Sequence, residues 1–291
     1  MKHPVLAATL TPFGPDGSLA LERLPDYLAF LIGHGVDGFL ALGTNGEFAS
    51  LAVDEREHVL EAHVAAAQGR RVVANVGGTV AHEVLRLAAH AARVGASDVS
   101  LLPPYYFPIT EPAFAELARR VADAFGGPIY LYNIPRYTRF SIPVATVTAL
   151  AVEGVCVGIK DSSQDLSYLR AVRVAVPYLD FLMGSDTTLL EGLEAGASGI
   201  ASGMANTFPD VVVGATRAFE DGVDLAPWAE RIHTLRKLFG AHPYLMATRT
   251  AIRLRGVDLG PVRTPLADLS DDERARVEQA LAPILTDLEA M

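Results

Sequence analysis

The chain has 291 residues, half of them hydrophobic, which is enough for one large domain with a sizeable core. A formal net charge of −10 and a sequence pI near 5.3, with no basic arm, argue against non-specific binding to nucleic acid or to an anionic membrane surface. No uninterrupted apolar run approaches the roughly 18 to 20 residues of a bilayer span, the single cysteine, Cys156, excludes an internal disulfide, and the N-terminus lacks the apolar core of a signal peptide, so a cytoplasmic protein is expected.

Taken in order, the sequence repeats one unit: a short apolar run, a turn rich in Gly, Pro, Asn or Asp, and an amphipathic helical stretch. The first run, residues 5–10, leads through a Pro/Gly turn to a helix at about 19–34. Runs at 38–42, 71–76 and 98–102 follow, with helices at about 53–67, 80–94 and 112–125. A fifth run at 129–132 is followed by a long loop to Pro143 and a short helix to about Ala151. The sixth, seventh and eighth occupy 155–160, 179–183 and 199–202, each with helical sequence after it. Runs apolar on both faces are what a parallel sheet covered by helices requires. Eight such units favour a closed (β/α)₈ TIM barrel, and the doubly wound alternative is weakened because no Gly-x-Gly-x-x-Gly loop follows any strand. Beyond Thr207 the strands stop, and helices are expected at about 209–221, 227–240, 243–255 and 270–288, the last kinked at Pro283. The expected organisation is a barrel over residues 1–222 with a C-terminal helical extension of the same domain over 223–291.

Barrel enzymes set their working groups at the C-terminal ends of strands and in the loops that follow. Lys160 ends the sixth run and is one of only three lysines, with Lys2 and Lys237, among 24 lysines and arginines. A composition so rich in arginine would supply arginine if charge alone were needed, and arginine cannot act as a nucleophile. A Schiff-base lysine at a buried strand end is one reading, and a lysine snorkelling from a strand end is the other. Alternation puts Lys160, Gly158 and Cys156 on one face, expected to be the inner one, and Ile159, Val157 and Val155 on the other. Tyr132 ends the neighbouring strand on the same face as Tyr130, where a phenol can shuttle protons, although a buried tyrosine with a satisfied hydroxyl is common. The loop Gly43-Thr44-Asn45-Gly46-Glu47 offers backbone N–H groups and a hydroxyl suited to a small carboxylate, as many tight turns do. Tyr105 and Tyr106 sit in a proline-bounded loop, placed either to cover a site or to meet another subunit.

Gly43-Thr44-Asn45-Gly46-Glu47, Pro104-Tyr105-Tyr106, Tyr132-Asn133-Ile134-Pro135 and Gly158-Ile159-Lys160-Asp161, in that order and spacing, resemble the dihydrodipicolinate synthase/N-acetylneuraminate lyase family, and the likeness covers nearly the whole chain. The resemblance implies a TIM barrel with C-terminal helices, a homo-oligomer (a tetramer or dimer), and pyruvate-dependent class I aldolase chemistry with an aldehyde as second substrate. It implies Lys160 as the Schiff-base lysine, Tyr132 as the proton-transfer tyrosine and Thr44 as the relay hydroxyl. Tyr106 would complete the relay from a neighbouring subunit, and the backbone of Thr44 and Asn45 would hold the pyruvyl carboxylate. No metal or organic cofactor is expected, because the protonated imine is itself the electron sink.

The family's synthases carry an arginine two positions beyond the proline of the Tyr-Asn-x-Pro motif, and here that position is Tyr137, flanked by Arg136 and Arg139. These three residues are the candidates for gripping the second substrate. Asn45 in place of threonine and the Lys160-Asp161-Ser162-Ser163 continuation look more like aldolases of 2-keto-3-deoxy sugar acids or of 4-hydroxy-2-oxoglutarate. Dihydrodipicolinate (4-hydroxy-tetrahydrodipicolinate) synthase is the alternative. A metal-dependent barrel hydrolase or class II aldolase is a poorer fit, since His34, His58, His63, His82 and His90 fall in helical stretches and no His-x-His ends a strand. A non-catalytic barrel that binds 2-oxo acids would keep the same residues.

Overall fold

The computed structural model describes residues 2–289. Eight parallel strands close in sequence order into a barrel: β1 (Val5–Ala8), β2 (Gly38–Ala41), β3 (Arg71–Asn75), β4 (Asp98–Leu101), β5 (Ile129–Asn133), β6 (Cys156–Asp161), β7 (Asp180–Met183) and β8 (Gly199–Ser202). Pairing of β1 with β8, Leu6 opposite Ala201, completes the ring. Each strand lies within two residues of its expected position. The helices between them are α1 (Leu24–Gly33), α2 (Val53–Ala66), α3 (Ala81–Val94), α4 (Glu111–Phe125), α5 (Pro135–Thr138), α6 (Val144–Val152), α7 (Leu166–Ala175) and α8 (Leu189–Glu194). After β8 come α9 (Pro209–Asp221), α10 (Ala226–Gly240), α11 (Tyr244–Leu254) and α12 (Asp271–Glu289), the last continuing as one helix through Pro283. Among the described residues no helix is long and apolar enough to cross a membrane.

Local chemistry sets these boundaries. The Thr110 hydroxyl accepts from the Ala113 N–H to cap α4, which ends on Gly126 in the left-handed conformation, and the Asp165 carboxylate caps α7 by accepting from the Ser167 N–H at 2.8 Å. The four-residue α5 lies where the sequence predicts loop, because it is too short to show a period and opens on a proline.

Inside the barrel, Leu6, Leu40, Val73, Tyr130, Leu182 and Ala201 form one buried layer. The Tyr130 ring lies across Gly158: a Cβ built there would sit 2.2 Å from ring atom Cε1. Glycine is therefore required under Lys160, and the ring fills the volume that a side chain would take. At the far end of the barrel the Tyr130 hydroxyl accepts from Arg71 Nη2 at 2.8 Å and donates to Asp180 Oδ2 at 2.5 Å. Register corrects one expectation about this strand. Ile129 opposes Cys156 while Tyr130 opposes Gly158, so Val157 is an extra residue in a bulge. The bulge inverts the alternation below Gly158 and turns Cys156 outward, with its sulfur toward the Val147 carbonyl of α6, where burial pushes the thiol up to about 12.

Candidate active site

The pairing of β5 with β6 places Tyr132 directly opposite Lys160 at the C-terminal end of the barrel. Both side chains are buried, and Lys160 Nζ stands 4.3 Å from the centroid of the Tyr132 ring, a distance at which an ammonium is attracted by the ring face. The Tyr132 hydroxyl meets Thr44 Oγ1 at 3.3 Å, so the loop after β2 reaches across to the end of β5. An amine, a phenol and an alcohol thus gather above the Tyr130 layer, the amine over the ring face and the phenol in hydrogen-bond reach of the alcohol.

A cavity of about 490 Å³ opens above Lys160, and Tyr132, Thr44, Asn45, Arg136 and Tyr137 lie in its wall. Gly203, just past β8, is another narrow point. A Cβ there would lie 2.5 Å from the Tyr244 hydroxyl and 2.8 Å from Asn45 Nδ2, so glycine lets the first residue of α11 and the β2 loop converge. Asp186, after β7, is a buried carboxylate on the same wall that accepts from the Ser202 hydroxyl and, at 3.1 Å, from the Met204 N–H. Burial holds its carboxyl above the usual range, opposed by those two donors and by the charges of Arg236 and Lys160. Burial likewise raises the Tyr244 phenol, and the Asp186 charge adds to it. Among the described residues no group of three or more His, Cys, Asp and Glu gathers as a metal site would require.

Six of the residues singled out from sequence therefore converge, and two do not. Arg139 closes α5 in the left-handed conformation at φ 57°, and this turn carries its side chain to the exposed surface and out of the cavity wall. Tyr106 is 87% exposed, at φ 83°, edge-on to Phe107, which is 77% exposed, and neither lines the cavity within this chain. Glu47 and Asp161, which close two of the motifs, are tied up structurally. Glu47 pairs with Arg249 of α11 at 2.6 Å, and Asp161 accepts from Asn133 Nδ2 and the Ser163 hydroxyl, each at 2.7 Å.

Asp186, Arg236 and Tyr244 were not singled out from the sequence. Asp186 obeys the strand-end rule and could have been found by it, since it follows β7 by three residues. Arg236 and Tyr244 come from the C-terminal helices, which sequence reasoning took only as packing. The break Gly240-Ala241-His242-Pro243 between two amphipathic helices was the available sign that this segment turns, but nothing in it specified the barrel mouth.

The sequence model of the Dihydrodipicolinate synthetase family matches residues 1–284. The chain belongs to the dihydrodipicolinate synthetase family. Members at 30% identity or more include an uncharacterized DapA-like lyase of Halobacterium salinarum, 38% identical over 285 residues that cover 97% of this chain and 94% of that protein. A 4-hydroxy-tetrahydrodipicolinate synthase of Methanothrix thermoacetophila is 33% identical over 97% of this chain and 96% of its own length. An N-acetylneuraminate lyase of Rhizobium meliloti is 30% identical over 97% and 95%. Among solved structures, the dihydrodipicolinate synthase of Aquifex aeolicus superposes with a TM-score of 0.89 at 30% identity, covering 98% of each chain. YagE, a prophage protein of E. coli in this family whose structure contains pyruvate, gives a TM-score of 0.91 at 28% identity over 97% of this chain and 98% of that one. As a family member the chain is a lyase.

Proposed function

We propose that this lyase forms or cleaves a carbon–carbon bond between pyruvate and an aldehyde through a Schiff base on Lys160, acting as a 2-keto-3-deoxy sugar acid or 4-hydroxy-2-oxoglutarate aldolase. One observation carries the reading: the buried Lys160 amine rests against Tyr132, whose hydroxyl touches Thr44, at the floor of the cavity. In the cleavage direction the Lys160 amine attacks the C2 carbonyl, and the carbinolamine loses its hydroxyl as water, with Tyr132 delivering the proton. The C4 hydroxyl then gives up its proton as the C3–C4 pair moves into the iminium, which releases the aldehyde and leaves an enamine. Protonation at C3 and attack of water on the imine carbon return pyruvate and the free amine. Thr44 passes protons between Tyr132 and the next group in the relay, which we assign to Tyr106 of a second copy in a homo-oligomer. Its exposure in one chain, at a strained φ, supports that assignment. Backbone N–H groups at Thr44 and Asn45 hold the pyruvyl carboxylate.

Two things support the reading: the structure of the relative YagE contains pyruvate, and in this chain Asn45, Tyr137 and the Asp161-Ser162-Ser163 continuation depart from the pattern expected of the synthases. The synthase-named relatives at 33% identity favour the second reading, dihydrodipicolinate synthase. Borohydride reduction with pyruvate present is expected to fix a pyruvyl adduct on Lys160, read by mass spectrometry of the digested protein. An adduct elsewhere, or none, overturns the mechanism. Strong turnover with aspartate semialdehyde would select the synthase over the aldolase.

A further inference from the structure

The cavity above Lys160 is charged against the trend of the chain. The whole sequence carries a formal −10, yet this wall brings together one lysine and two arginines, Lys160, Arg136 and Arg236, with a single carboxyl group, Asp186. That carboxylate accepts from the Ser202 hydroxyl and the Met204 N–H and feels the charges of Arg236 and Lys160, so one acid faces three basic side chains. Several arginines near the C-terminal segment are paired, Arg249 with Glu47, Arg255 with Asp210 and Arg263 with Glu55, while Arg231 of α10 instead lies over the Trp228 ring. Among the described residues neither Arg136 nor Arg236 stands within ion-pair distance of a carboxylate; Arg136 lies over the Tyr137 ring at 5.5 Å instead.

Arg236 is also held in a fixed posture. Its Nε donates to Thr187 Oγ1 at 3.0 Å, and the guanidinium carbon stands 5.9 Å from the Tyr244 ring centroid. With Nε occupied and the plane braced, Nη1 and Nη2 remain as a fork matched to two carboxylate oxygens. A guanidinium on the cavity wall, with Nε engaged and no carboxylate among the described residues within ion-pair distance, presents its fork to an anion entering the cavity.

We propose that Arg236, assisted by Arg136, determines specificity by binding a carboxylate at the far end of the aldehyde half, so that the substrate is a 2-oxo acid with a second, distal carboxylate. This deepens the proposed aldolase reading and rests on it, and it favours acidic aldehydes over neutral polyol aldehydes. A guanidinium on α10, outside the eight strand-loop units, would then do the work expected of an arginine in the loop that here carries Tyr137.

The test uses the full-length protein, pyruvate, and aldehydes paired by length that differ in the carboxylate: glyoxylate against glycolaldehyde, and succinate semialdehyde against butanal. The wild type is expected to favour at least one carboxylated member by about 10-fold or more in kcat/KM. Arg236→Gln is expected to raise KM for that member by about 10- to 100-fold, the worth of a charged bidentate contact, with kcat and the neutral aldehydes little changed. Arg236→Lys should recover part of the loss. Borohydride trapping with pyruvate alone should be equal in wild type and Arg236→Gln. Failure of trapping in the wild type overturns the Schiff-base reading. With trapping intact, three results overturn this inference alone: neither carboxylated aldehyde reacts, the wild type does not discriminate within either pair, or Arg236→Gln weakens charged and neutral aldehydes alike, as it would if Arg236 merely balanced Asp186.

Discussion

The floor and the rim of the cavity are built by different means. The floor, Lys160 and Tyr132, is set by backbone register: β5 and β6 hydrogen-bond residue to residue, both side chains are buried, and the Tyr130 layer supports them from below. The rim is assembled from Arg136 and Tyr137 after β5, Asp186 after β7, and Arg236 and Tyr244 of α10 and α11, held to the barrel by side-chain contacts. Register cannot drift without rearranging a whole strand, whereas a side-chain tie can be changed one residue at a time. The proposed chemistry would therefore be housed in the part that resists change, and the proposed choice of partner in the part that tolerates it.

Four experiments would break or sharpen that contrast. The largest effect is expected at the floor: Lys160→Ala should lower turnover by about 10⁴-fold or more and abolish borohydride trapping, while thermal unfolding stays close to wild type. Tyr132→Phe keeps the ring against Lys160 but removes the hydroxyl, and kcat is expected to fall by about 10²- to 10³-fold, measured under saturating pyruvate. At the join between floor and rim, Glu47→Gln strips the charge from a fully buried partner of Arg249. About 3 kcal/mol of stability should be lost in a denaturant titration, because an unpaired guanidinium stays buried. A stability equal to wild type would show that α11 is not tied to the barrel through this pair.

The smallest effect concerns His63 of α2, which is buried with Nδ1 on the Val59 carbonyl at 2.8 Å and Nε2 on the Thr9 hydroxyl at 2.9 Å. Burial pushes its imidazole down to about 4, against an ordinary 6.5. The unfolded chain therefore takes up this proton first as pH falls. The stability associated with a neutral His63 is complete above about pH 6.5 and declines toward pH 4, by at most about 1.4 kcal/mol per pH unit. His63→Gln should flatten that part of the stability curve. Equal slopes for the two proteins between pH 6.5 and 4 would remove His63 as the cause.

The floor was legible in the sequence because period-two alternation and the strand-end rule act on neighbours in the chain. Lys160 above Gly158, and Tyr132 above Tyr130, needed no knowledge of distant segments. Cys156 was misplaced for a physical reason: a bulge adds one residue, and no local pattern announces that Val157 is left unpaired. The rim was mostly illegible. Arg236 is 76 residues beyond Lys160, in a helix whose own periodicity reports only which face is apolar. Arg139 looked equivalent to Arg136 in sequence, and only the left-handed turn at the end of α5 separates them.

The Tyr130 ring, tethered to Arg71 and Asp180, has a consequence for traffic. It stoppers the barrel on the side away from the rim, so whatever is bound at Lys160 must come and go by the route the second substrate uses. In the proposed cleavage the pyruvyl half lies beneath the aldehyde half, and departure is single file: the aldehyde first, pyruvate last. Run in reverse, pyruvate must be joined to Lys160 before the aldehyde arrives, so the covalent bond sets the order and the plug makes both substrates share one doorway.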